Sequence, residues 1–142
     1  MTRKKAKTLI ATSGQKEVRS KAHNYSSEKI CWRFSTMDME GPFKFCSLCP
    51  ETWGKILSTM KEWDKKTWAE ILNNRDHFIP VDDLCSEAQQ RLIDIKRDDI
   101  DGIYSLHIDG KSRFIGIRDR YAFQVLWWDP DHKVCPSHKK HT

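Results

Sequence analysis

Between Ile103 and Pro130 the chain reads IYSLHIDGKSRFIGIRDRYAFQVLWWDP. Tyr104, Leu106 and Ile108 alternate with Ser105 and His107, the period of a strand with one apolar face. Asp109-Gly110 follows, a hairpin signal because glycine takes the left-handed backbone conformation that tight turns need. Arg113 to Ile117 makes the returning strand, and Asp119-Arg120 is a second turn. Tyr121 to Trp128 is apolar on both faces, which predicts a central place in the sheet. Asp129-Pro130 stops it, since proline has no N–H to give to a ladder. The segment reads as a three-strand antiparallel meander.

Upstream the period changes. Ile30, Trp32 and Phe34 alternate with Cys31 and Arg33, which predicts a strand over Ile30 to Ser35. Gly41-Pro42 marks a turn. Pro50 suits the first turn of a helix, where its missing N–H costs nothing. Trp53, Ile56, Leu57 and Met60 then fall on one helical face. Thr67 and Glu70 have capping-box spacing, predicting a second short helix with Trp68, Ile71 and Leu72 inward, closed by Asn73, Asn74 and Pro80. Ser86 and Gln89 repeat that spacing ahead of a third helix striped by Ala88, Leu92 and Ile95. The predicted class is α+β: an N-terminal strand, two to three helices, then the meander packed on the helices.

The 142 residues suit one domain with a modest core, and exclude large multidomain enzymes. No run of about 18 uncharged apolar residues exists to span a membrane, and none has the form of a signal peptide. The net charge of +5 is unevenly placed: residues 1–29 hold eight basic and two acidic side chains, a net +6, whereas residues 30–142 hold 17 and 18, a net −1. Residues 1–26 read as a flexible basic arm able to touch phosphates without sequence preference, or as a solvated leader. Residues 27–136 form the predicted domain, and 137–142 a frayed tail. Five cysteines, an odd number with no secretory signal, fit reduced thiols in a cytoplasm. Cys46 and Cys49 form one C-x-x-C pair, half of what a zinc ribbon requires.

Several motifs fail. Gly110-Lys111-Ser112 resembles the end of a P-loop, but Ser105 stands where the first glycine belongs, and a hairpin replaces the loop that opens a helix. Nucleophile-elbow, dinucleotide-binding and H-E-x-x-H patterns are absent. The residues with usable chemistry gather in and after the meander. Arg113 opens an otherwise apolar strand and shares a face with Ile115 and Ile117. It either clamps a phosphate or pairs with a helix carboxylate such as Asp94. His132 follows the Asp-Pro-Asp turn and either transfers protons or hydrogen-bonds Asp129 or a backbone carbonyl. A zinc site from His132, His138, His141 and Cys135 or Asp131 is a third option.

This order of elements, and the local pattern Leu106-His-Ile-Asp-Gly-Lys-Ser-Arg113-Phe-Ile-Gly-Ile117 followed by His132-Lys133-Val134, resembles the RelE/ParE superfamily, especially the RelE and YoeB toxins of toxin–antitoxin systems. Arg113 falls where that family keeps its phosphate-contacting arginine, and His132 near a common histidine. The chain departs from the pattern at His107, where many relatives have arginine, and at Cys135-Pro136, where a tyrosine is usual. The resemblance implies a metal- and cofactor-independent endoribonuclease that cuts mRNA on the ribosome, by 2′-OH attack on the phosphodiester. Arg113 and His132 would be catalytic, with Lys111, Arg118 and Lys133 binding RNA. A small antitoxin protein is the implied partner, with no membrane. The alternative is a catalytically inactive member of the fold that binds RNA or a protein.

Overall fold

The computed structural model describes residues 25–136 except 74 and 76. The expected basic arm and C-terminal tail fall almost wholly outside these residues. In chain order the elements are β1 (Cys31–Arg33), α1 (Pro50–Trp63), α2 (Trp68–Leu72), β2 (Phe78–Pro80), a 3-10 turn (Val81–Asp83), α3 (Ser86–Asp94), β3 (Gly102–Asp109), β4 (Ser112–Asp119) and β5 (Ala122–Asp129). The strands form one sheet in the order β1-β5-β4-β3-β2, with β1 parallel to β5 and every other pair antiparallel. The chain is therefore α+β, and its last third is the meander read from the 2-residue period.

The helices are split between the two faces of the sheet. Ile56 of α1 and Trp68 of α2 join Leu106, Phe114, Val125 and Trp128 in one core. Ala88 and Leu92 of α3 join Ile103, Ile115, Leu126 and Trp127 in the other. Alternate residues of β4 and β5 thus bury in opposite directions, the physical reason these strands are apolar on both sides. β4 is the middle strand and β5 lies next to it, shielded from the edge by β1.

Several local expectations shift. β2 is a fifth strand where only a closing segment was expected. It is three residues long, and its Pro80 sits on an outer edge, where a missing N–H is tolerated. Gly102 lies opposite it because a Cβ there would come within 2.4 Å of the Ile79 carbonyl oxygen. β1 is shorter than predicted, and Phe34 beyond it is exposed. In α1 the buried face runs through Trp53, Ile56, Met60 and Trp63, while Leu57 stands 56% exposed. The Thr67–Glu70 capping box forms as predicted, closing two orphan donors of α2. The Ser86–Gln89 box does not form: the N-cap of α3 is Cys85, and Gln89 Nε2 turns back to the Leu84 carbonyl.

One buried carboxylate joins these parts. Asp38, 6% exposed, accepts Arg91 Nε at 2.9 Å and Nη2 at 2.8 Å from α3, and the Trp127 indole N–H at 2.9 Å from β5. Its own amide donates to the Leu126 carbonyl, and its carbonyl accepts from Phe45. Burial pushes the Asp38 carboxyl up, but Arg91, the Trp127 N–H and the Glu40 amide outweigh that and hold it below the usual carboxylate range. Gly41 is needed beside this pair. Its φ is +84°, and a Cβ would lie 2.4 Å from Arg91 Nε.

Asp38→Asn is expected to lower unfolding stability by about 3 kcal/mol in denaturant titrations, because Arg91 loses a buried countercharge. A depressed folded-state pKa means that the stabilisation is fully present above the unfolded value near 3.9 and is lost as pH falls through the lower, folded one. The difference between wild type and Asp38→Asn should accordingly shrink in acid below about pH 4.

Candidate functional site

Two irregularities of register build one row of polar residues across the end of the sheet. A regular two-residue hairpin closed by Asp109 and Ser112 would set Arg113 against Ile108. The β3–β4 ladder instead shifts between His107 and Asp109, and His107 pairs with Arg113. On the other side, Ile115 pairs with Trp127 but Gly116 pairs with Val125, leaving Leu126 as a bulge in β5. Beyond that bulge Asp129 comes opposite Arg113. The row His107–Arg113–Asp129 shares the face of Ile115 and Trp127, the α3 side of the sheet.

Each member is fixed differently. Ser112, 7% exposed, closes the turn by donating its hydroxyl to the Asp109 carbonyl at 2.8 Å. Gly110, at the left-handed φ of +49°, turns its carbonyl toward the row. Arg113 Nη1 donates to the carbonyls of Gly110 and Ser112, both at 3.0 Å. His107 Nε2 lies 3.0 Å from the same Gly110 oxygen. Arg113 is half-buried, and desolvation draws its guanidinium pKa below the ordinary arginine value, with Asp129 acting in the opposite direction. It does not reach Asp94, whose carboxylate accepts from Gln90.

Asp129 is 2% exposed, and its carboxylate accepts the backbone amides of Lys133 at 2.9 Å and Val134 at 3.0 Å. It thereby folds residues 130–134 back against the end of β5. His132 lies in this loop at a left-handed φ of +59°, a conformation that costs a non-glycine residue on the order of 1 kcal/mol and that the Asp129 bonds help hold. The Val134 carbonyl in turn accepts the Cys85 amide at the start of α3, fastening the loop to the other layer. Lys133 is exposed.

The five residues expected in the site are thus divided. Arg113, His132 and Lys133 belong to the end of the sheet, joined through Asp129. Lys111 is exposed on the β3–β4 turn and also lines a cleft of about 400 Å³ with Thr52, Lys55, Ser112 and Trp128, on the α1 side. Lys55 crosses from α1 to Asp109 at 3.0 Å, and that contact holds the exposed Asp109 carboxyl below its usual range. Arg118 is not brought to the others. It lies toward the far end of β4 on the opposite face, with its guanidinium 4.1 Å over the Trp68 ring and its Nε donating to the Arg120 carbonyl. His107 and Asp129 complete the row. Both are legible as polar residues of the meander, but their alignment with Arg113 is not, because bulges rather than the strand period set it.

The C-x-x-C pair forms no joint site. Cys46 donates to the Met39 carbonyl, and Cys49, the N-cap of α1, contacts the Thr52 hydroxyl at 3.2 Å. Bonds from Thr52 hold the Cys49 thiol below its usual range. Among the described residues no three His, Cys, Asp or Glu side chains gather as metal ligands; His138 and His141, invoked for a zinc site, lie outside them. No described helix is long and apolar enough to cross a membrane. No protein-family model matches the chain, and no curated protein or solved structure is significantly similar to it.

If Asp129 is what folds the His132 loop, Asp129→Ala should leave the Lys133 and Val134 amides without acceptors. Their hydrogen exchange, measured by NMR, should accelerate far more than exchange in β4, with a loss of about 2 kcal/mol in global stability.

Proposed function

We propose that the chain is an RNA-cleaving protein of the RelE/YoeB kind that acts at the end of the sheet marked by Arg113. The observation that carries this reading is the state of the Arg113 guanidinium. One nitrogen, Nη1, is anchored on two backbone carbonyls, while Nε and Nη2 make no hydrogen bond among the described residues. A partly desolvated, positioned arginine with one edge unused suits a bidentate phosphate contact. The fork would meet the phosphodiester and stabilise the extra negative charge of the phosphorane.

Cleavage follows from attack by the adjacent 2′-oxygen on phosphorus. His132 protonates the departing 5′-oxygen as its bond to phosphorus breaks. Lys111 and Lys133 contact the backbone on either side of the scissile phosphate, a positioning role that carries no base preference. The products are a 2′,3′-cyclic phosphate and a 5′-hydroxyl, and neither a metal nor a cofactor enters the balance. The substrate in this reading is mRNA on the ribosome, and a small antitoxin protein restrains the activity.

Controlled expression and cleavage assays test this reading. Wild type should arrest growth and cut mRNA on programmed ribosomes. Arg113→Ala and His132→Ala should each reduce cleavage by about a hundredfold or more and relieve the arrest. Growth at the control rate together with intact RNA would sink the proposal. RNA binding that survives loss of both residues, with no cleavage in wild type, would point instead to a binding protein on the same scaffold.

A further inference from the structure

The cleavage step needs a proton acceptor for the 2′-hydroxyl as well as a donor for the 5′-oxygen, and we infer that His107 is that acceptor; the inference rests on the nuclease reading above. His107 and Arg113 meet at the Gly110 carbonyl. His107 Nε2 and Arg113 Nη1 both lie 3.0 Å from its oxygen. A carbonyl oxygen has no proton to give, so Nε2 must donate. In the neutral ring that places the only N–H on Nε2 and leaves the Nδ1 lone pair as the acceptor. Nδ1 makes no hydrogen bond among the described residues, and His107 is exposed. The same bond fixes both the tautomer and the ring position, as a carbonyl behind a catalytic histidine does elsewhere in enzyme sites.

Position supports the same role. His107 pairs directly with Arg113 across the β3–β4 ladder, and one carbonyl oxygen bridges the two side chains. A phosphate held by the idle edge of Arg113 would therefore have an imidazole beside it. The charged and titratable groups around His107 are Arg113, with Asp129 beyond it, the neighbouring Asp109, and Arg75 and His77, which share with His107 a hollow of about 200 Å³.

In the step itself Nδ1 takes the 2′-hydroxyl proton and the 2′-oxygen bonds to phosphorus. The bond from phosphorus to the 5′-oxygen breaks, and that oxygen takes a proton from His132. His107 ends protonated and His132 unprotonated; exchange with water restores both. Two imidazoles on either side of an arginine thus supply the acid, the base and the charge stabilisation.

The test uses the full-length chain and single-turnover cleavage of mRNA on ribosomes between about pH 5 and 9, a range that spans imidazole titration. His107→Gln keeps an N–H for Gly110 but has no titrating nitrogen. It should fold as wild type by thermal melting, cleave about a hundredfold more slowly, and lose the rise in rate on the acidic side of the profile. A wild-type rate and profile in His107→Gln, while Arg113→Ala is inactive, would overturn the role of His107 and leave the nuclease reading standing. A slower rate with an unchanged profile would assign the ring a structural role, and also overturns it. Absence of cleavage by wild type removes both proposals together.

Discussion

The buried contact between Asp38 and Arg91 is the constraint on which the rest of the molecule depends. Asp38 belongs to the loop leaving β1, Arg91 to α3 and Trp127 to β5, and one carboxylate holds all three. Such a pair adds little net stability compared with an apolar replacement, because desolvating both charges offsets most of their attraction. Its value here is registration. The Asp38 amide takes the carbonyl of Leu126, the bulged residue of β5, while its carboxylate takes the indole of the next residue. The anchor therefore defines where the β5 bulge sits.

That bulge connects the core to the site. Without an extra residue at Leu126, strict alternation would turn Trp127 toward α1 and Asp129 away from Arg113. With it, Leu126 and Trp127 both enter the α3-side core, Trp128 enters the opposite one, and Asp129 returns to the face of Arg113. The second irregularity, on the β3 side, brings His107 onto the same row. Bulges re-aim side chains at sheet ends in this way, where a change of one residue in register flips everything that follows.

The same mechanics explain what could be read from the sequence. The meander, its turns and the three helices were legible because each is a local period or a local cap: Leu106 and Ile108 on one strand face, Thr67 and Glu70 at the start of α2, Pro50 at the start of α1. Arg113 on the face of Ile115 was legible for the same reason. β2 was not, because three residues ending in proline carry no usable period. The split of helices between two faces was not either, since amphipathic stripes say that a face is buried but not against which side of the sheet. His107 and Asp129 were legible as polar residues of the meander, but their common row with Arg113 was not, because bulges break the period that would have revealed it. The Asp38–Arg91 pair spans 53 positions, beyond any local pattern.

Charge leads to the same part of the structure by a different route. Residues 25–136 hold 16 basic and 19 acidic side chains, a net −3, so this span has no net positive field with which to draw in an anion. Arg118, which could have added to such a field, is stacked on Trp68 and Tyr104 at the other end of β4. Recognition of a phosphate at the Arg113 end then has to come from short-range geometry, meaning a guanidinium whose position is set before the ligand arrives. The backbone carbonyls of Gly110 and Ser112 provide that setting, and they do so without a partner charge that would consume the free edge of the fork. A carboxylate directly on that edge would neutralise it. Asp129 is instead occupied with the amides of Lys133 and Val134, close enough to act on Arg113 through space but committed to the loop that carries His132.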